Sequence, residues 1–244
     1  MSVEIRLIVE GATEQAFADQ VLGPHLALRG LYLHASLIGS PGKKGGNVRF
    51  ERVAPQIKAA LKQRSDTLVG TFFDYYGLKR WPGLDTVRAL QNPAPKTIAE
   101  TLNEAAVSEI ERALPDIPVR KRFLPFTAVH EFEALLFADS AKLAAGTGVP
   151  TARIEEALAR CGGSPEAIDN GPETAPSKRL EAWTRNQYGK ITTGIPIAKK
   201  IGIDAMRSAC PNFDAWIQRL EATAESSDRS PPAEGHSSDS GIGA

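Results

Sequence analysis

Cysteine is scarce in this chain: Cys161 and Cys210 are the only two in 244 residues. Two thiols cannot build a disulfide framework or a zinc knuckle by themselves, so they read as reduced structural thiols of a cytoplasmic protein. Net charge is missing as well, because 29 basic residues balance 29 acidic ones. Such a chain has no overall field to gather a polyanion, and any nucleic acid has to be met by a local patch. No stretch approaches the ~20 apolar residues that span a bilayer, and the charged start Met1-Ser2-Val3-Glu4 is no signal peptide. These absences exclude a membrane protein and a secreted disulfide scaffold. Internal repeats are absent too. What is present, 42% hydrophobic residues, can bury one large core or two modest ones.

The most informative segment is Ile5-Arg6-Leu7-Ile8-Val9-Glu10-Gly11-Ala12-Thr13-Glu14. An apolar, branched run ends in an acid, a glycine and a threonine, and an amphipathic stretch follows (Phe17, Val21, Leu22, Leu26). That order predicts a buried strand, a tight turn and a helix with Thr13 as its N-cap. Open α/β sheets hold their ligands at the carboxyl ends of the strands, where Glu10 falls. Glu14, in the first helical turn, can face the same crevice. Paired carboxylates there suit a hard divalent cation, Mg²⁺ or Mn²⁺. An acid at a helix start is also favoured by the helix dipole alone.

The alternation continues. Strands are predicted at Leu31–Ile38, Thr67–Phe73 and Phe123–Val129, with helices near Arg49–Gln63 and Ala94–Leu114 between them. Such order implies parallel strands joined by right-handed crossovers. The fold class is therefore α/β, with a mostly parallel central sheet over residues 1–138. Residues 139–223 read as a helical portion packed on that core, broken at Pro211. Residues 224–244, rich in Ser, Gly, Pro and Asp, read as a disordered tail. Three strands end in acids: Glu10, Asp74, and the pair Glu131 and Glu133. In a parallel sheet these ends converge, and clustered carboxylates raise one another's pKa unless a cation neutralises them. A metal site of Glu10, Glu14, Asp74, Glu131 and Glu133 follows.

Four blocks carry a resemblance: Val9–Glu14, Phe73–Gly77, His130–Phe137 and Asp169–Arg179. They resemble the bacterial DUF4276 family over nearly the whole chain to about Leu220, and more distantly the TOPRIM domains of overcoming-lysogenization-defect (OLD) nucleases. The resemblance implies a TOPRIM-like fold and Mg²⁺- or Mn²⁺-dependent hydrolysis of phosphodiesters in DNA or RNA. It also implies service beside an ABC- or AAA-type ATPase in an anti-phage module. The OLD-type pattern has a first Glu, an acid four residues later, an Asp-x-Asp, an acid-x-Glu and a downstream lysine. Glu10, Glu14, Asp74 and Glu131-Phe132-Glu133 match it. Tyr76 stands where the second Asp would be, so Glu131 or Glu133 has to supply the missing oxygen. Lys178 is the first candidate for the lysine and Lys190 the second.

In this reading Glu10, Asp74 and Lys178 are catalytic, while His130 and Tyr76 orient the ligands from behind. Lys43, Lys44, Arg49 and Arg179 hold the nucleic-acid backbone, and Lys79, Arg80, Lys121 and Arg122 add to that surface. Isolated Lys and Arg pairs are more often solvated surface. Two other classes stay open: a degenerate domain that binds a partner without cutting, and a nucleotide-binding protein.

Overall fold

The structure, a computed structural model, describes residues 2–39, 48–168 and 173–228. Lys43, Lys44 and the Asp169–Pro172 part of the fourth block lie outside the described residues, as does the expected tail beyond Asp228.

Strand β1 (Val3–Val9) leads through Gly11 into helix α1 (Ala12–Phe17), which continues as a π-helical turn (Ala18–Leu22) and α2 (Gly23–Ala27). Strand β2 (Leu31–Leu37) follows, then the short β3 (Val48–Arg49) and α3 (Phe50–Gln63). Strand β4 (Leu68–Asp74) runs into a 3₁₀ turn, β5 (Leu78–Lys79), α4 (Leu84–Ala89) and α5 (Pro95–Ala113). Next come α6 (Val119–Arg122), β6 (Phe123–Ala128) and a 3₁₀ segment, Phe132–Ala138. The remainder is helical: α7 (Ser140–Thr147), α8 (Thr151–Ala159), α9 (Pro176–Trp183), α10 (Ile195–Ile201), α11 (Ile203–Ala209) and α12 (Pro211–Asp228). Pro211 separates α11 from α12, as its lack of an N–H requires, and α12 runs past the boundary expected at residue 223.

The main sheet has the order β2-β1-β4-β6, and every pair in it is parallel. The chain first steps from β1 outward to β2, then crosses back over β1 to β4. The carboxyl ends of β1 and β4 therefore flank the point where the winding reverses, the place where open α/β sheets hold their ligands.

Alternation along each strand sorts side chains to two faces. Ile5, Leu7, Val9, Phe72 and Phe126 enter one core with α1, α10 and α12; Ile8, Val69, Phe73 and Phe123 enter the other with α3 and α5. Both faces are thus covered by helices, as a fully parallel sheet demands. The first core draws on both ends of the chain. Trp216 of α12 stacks 5.0 Å from Phe126, and its indole N–H donates to the Leu124 carbonyl at 2.9 Å. Gly70 lets Leu7 pack close: a Cβ there would lie 3.0 Å from Leu7 Cδ1. Glu166, buried, accepts from the backbone N–H groups of Asn212 and Phe213, both at 3.0 Å, and so pins the first turn of α12. Burial nonetheless raises the Glu166 pKa against those two bonds.

One local expectation is corrected. The first helix is capped by Gly11, in extended backbone, and not by Thr13; no side chain bonds to its free N–H groups. The helix opens at Ala12 because the turn after Glu10 is complete within one residue, with Gln15 N–H already donating to Gly11 O at 3.1 Å.

Candidate active site

Register brings the acids to one edge. Val9 pairs with Phe72 and Asp74 with Ala128, so Glu10, Asp74 and the His130–Glu133 segment all leave the sheet at its carboxyl end. Two glycines make space for carboxylates. A Cβ on Gly77 would stand 2.5 Å from Glu10 Oε2, and one on Gly11 would stand 3.0 Å from Glu14 Oε2. Neither site tolerates a larger residue without moving an acid. Glu14 is buried, and Asp74 is half-buried with its Oδ1 shut off from solvent and making no hydrogen bond.

Electrostatics follows from that crowding. Burial, then the charges of Glu14, Glu133 and Glu10, push the Asp74 carboxyl well above its ordinary range, against the pull of Lys190. Glu133 is fully buried, and its pKa is raised to about 7 by burial, less the attraction of Lys190. Lys190 Nζ lies 3.1 Å from both Glu133 oxygens but has hydrogen-bond geometry only to Oε2, which leaves Oε1 buried without a hydrogen bond. Burial alone would lower the Lys190 pKa; Glu133 and Glu131 outweigh it and hold the ammonium charged. Tyr188 closes the rear. Its hydroxyl is buried without a hydrogen-bond partner, and burial together with Glu133 and Glu131 pushes its pKa upward.

The structure thus gathers Glu10, Glu14, Asp74, Glu133 and Lys190. It uses Glu131 differently. One Glu131 oxygen accepts the Ser177 N–H at 2.9 Å and so caps the start of α9, while the other is 3.8 Å from Lys190. Lys178 is held elsewhere: its ammonium sits 2.6 Å from Glu181 on the exposed side of α9. Residues three apart share a helix face, and a helix opening at Pro176 sets this pair side by side. Of the two candidate lysines, Lys190 is the one at the carboxylates. Arg179 donates to the Thr174 carbonyl at 2.6 Å. Arg49 lies 3.9 Å from Glu51 on the β3–β5 side. Lys121 and Arg122 fall at the amino end of β6, the far end of the sheet from the acids. His130 stands with its ring 6.3 Å from that of Tyr76 at an angle of 20°.

Among the described residues, no three His, Cys, Asp or Glu side chains stand together as a ready-made metal site. Two of the five expected ligands have protein partners instead, Glu133 in Lys190 and Glu131 in the α9 terminus. Glu10, Glu14 and Asp74 are hard oxygen donors, and a cation would relieve the buried Asp74 oxygen that makes no hydrogen bond.

The blocks that build this edge are also those a family comparison matches, over residues 9–221. The chain belongs to the DUF4276 family. That family is described as a domain of unknown function. No curated protein matches the chain significantly. Among solved structures, the C-terminal region of the Xanthomonas campestris pv. campestris OLD protein is similar, at 15% identity over 93% of this chain and 98% of that one, with a TM-score of 0.42. The DUF4276 blocks contain the acids and also Gly11 and Gly77, but do not reveal the part these glycines play in making room for carboxylates. For Gly77 the signal was there: a glycine placed three residues after a strand-end acid.

Proposed function

We propose that this DUF4276 protein is a metal-dependent nuclease with a TOPRIM-like core, in which Glu10, Glu14 and Asp74 hold Mg²⁺ or Mn²⁺. One observation carries the reading: a buried Asp74 oxygen without a hydrogen bond, among three further carboxylates, at the reversal point of a parallel sheet. A bound divalent cation would supply Lewis-acid polarisation of a phosphodiester and a nucleophilic hydroxide. The chain's own residues do the rest. Lys190, kept charged, neutralises the developing negative charge on the phosphate. Glu133 anchors Lys190. Glu131 fixes α9, and with it the wall of the crevice. This replaces Lys178 by Lys190 as the proposed catalytic lysine. Arg49, with the neighbouring Lys79 and Arg80, meets the flanking backbone of DNA or RNA, and an ABC- or AAA-type ATPase would gate access in an anti-phage module.

A second reading has its own support. Tyr76 occupies the place of an acid in the OLD-type pattern, which favours a partner-binding domain that no longer cuts. Incubating the purified protein with labelled DNA and RNA, in Mg²⁺, Mn²⁺ or EDTA, separates the two. Cleavage in Mn²⁺ that is lost in EDTA and in Glu10→Ala supports the nuclease. A Glu10→Ala variant cutting like wild type refutes the site. A wild type silent in both metals, with and without an ATPase partner, leaves the second reading standing.

A further inference from the structure

Beside the acids lies a groove of about 540 Å³ that metal chemistry does not use. Tyr75 and Tyr76, which follow Asp74 directly, form one wall, and Val129 and His130, which precede Glu131, form another. Pro93, Pro95 and Ile98 close the floor. A volume of that order is typical of small-ligand sites. Its walls are rigid where they need to be. Prolines fix their own φ, and Asn92 at the rim is held in the left-handed region at φ 46°, a conformation that asparagine tolerates.

The aromatic content is the informative part. Tyr76 is 51% exposed and Leu90, on the same groove, is 42% exposed, so two of the six exposed large hydrophobics among the described residues converge here. The rings of Tyr76 and His130 are nearly parallel, 6.3 Å apart, while Tyr75 meets Tyr76 edge-on at 4.8 Å. Tyr75 thereby props Tyr76, which lines the groove half exposed, and a flat partner would lie on its exposed face. Arg88 and Asn92 bring hydrogen-bonding groups to the edge of whatever lies on that face.

We infer that this groove binds an unpaired nucleobase of a single nucleic-acid strand whose phosphate lies at the carboxylates. The inference rests on the nuclease reading and narrows its substrate to strands with exposed bases. Stacking on aromatic rings is sequence-tolerant, because every base offers a π face. A base inside a duplex has no such face to give unless it is extruded at a cost. Tyr75 and Tyr76 line the groove and follow Asp74 directly in the chain, so the groove adjoins the strand end that carries this acid. Tyr76, the departure from the acid pattern, then belongs to substrate binding and not to metal binding.

Binding can be scored without turnover, by fluorescence anisotropy of labelled strands with the full chain in Ca²⁺, with gels to confirm that the strands stay intact. The wild type should bind oligo-dT or oligo-U well above an abasic strand of equal length and above the corresponding duplex. Tyr76→Ala should weaken single-strand binding roughly 5- to 150-fold, the range of one lost base stack, and leave duplex binding unchanged. Tyr76→Phe should restore most of it. Because Tyr76 is half exposed, its removal should not shift the melting temperature, which guards against a folding artefact. Equal affinity for abasic and normal strands, or a Tyr76→Ala variant that binds like wild type, overturns the inference. So does a mononucleotide that binds as tightly as the strand, since that assigns the groove to a nucleotide instead. A protein that binds through Tyr76 yet never cuts sinks the nuclease reading alone; one that cuts normally as Tyr76→Ala sinks this inference alone.

Discussion

The two ends of the same sheet differ in how their charges are satisfied. At the amino end, Arg120, Lys121, Arg122 and Arg219 ring a cavity of about 570 Å³. Its cations are largely answered on the spot. Arg120 pairs with Glu104 at 2.7 Å and Glu111 at 2.9 Å, and Arg122 gives its N–H groups to the carbonyls of Thr67 and Arg64. At the carboxyl end Glu10, Glu14, Asp74, Glu131 and Glu133 gather near Lys190, and buried oxygens of Asp74, Glu133 and Tyr188 make no hydrogen bond. The first is a balanced structural junction. The second is a deficit held in place by the fold, and such imbalance points to function where cavity size does not. A zero net charge hides both.

The sharpest way to test this contrast is to remove one charge from each end. Asp74→Ala should cut Mn²⁺-dependent cleavage by ~100-fold or more, the scale on which a lost charge-stabilising contact acts. Arg120→Ala, measured in the same assay, should stay within about twofold of wild type. Equal losses from the two ends would dissolve the distinction.

Next in size is the lysine. Lys190→Ala leaves Glu133 buried without its partner and should cost ~1–3 kcal/mol in denaturant melts, below the ~3–5 kcal/mol of a fully buried pair because Lys190 is partly exposed. Lys178→Ala should change stability by no more than about 0.5 kcal/mol. If the two variants melt together, the deficit at the carboxyl end is not what Lys190 relieves.

Smaller still is a pH effect in EDTA. The Asp74 pKa is raised on folding, so its favourable contribution is complete below the ordinary carboxyl range and is lost as pH rises through the folded value. Glu133 behaves likewise between 4.5 and about 7. Asp74→Asn removes one of these charges while keeping its shape. It should melt higher than wild type at pH 8, with the gap closing as the pH falls towards 5. A gap that widens on acidification would reverse the sign of the argument. Least of all, Arg120→Ala should leave the melting curve close to that of wild type, since its ion pairs are solvent-exposed.

The sheet and its acids were legible because both rest on local pattern. Apolar runs ending in Glu10, Asp74 and Glu131 report strand ends directly, and parallel order then gathers them. The lysine was not, since Lys178 and Lys190 sit in loop-rich sequence and only packing decides which one meets Glu133. The cap made by Glu131 was equally hidden, because its partner, Ser177, lies 46 residues away. Thr13 misled for a related reason: a threonine beside a helix start looks like a cap, but the tight turn at Gly11 starts the helix before it.

The indole of Trp216 donates to a carbonyl 92 residues upstream, and that separation has a consequence during synthesis. At ~5–20 residues per second, roughly 5–20 s pass between the making of β6 and the arrival of Trp216. Throughout that interval Phe72 and Phe126 lack the cover that α12 gives them. The nascent sheet is an apolar surface waiting for its last helix. Ribosome-bound chains stopped just before Pro211 should therefore be protease-sensitive and sought out by chaperones, and chains released past Leu220 should be neither.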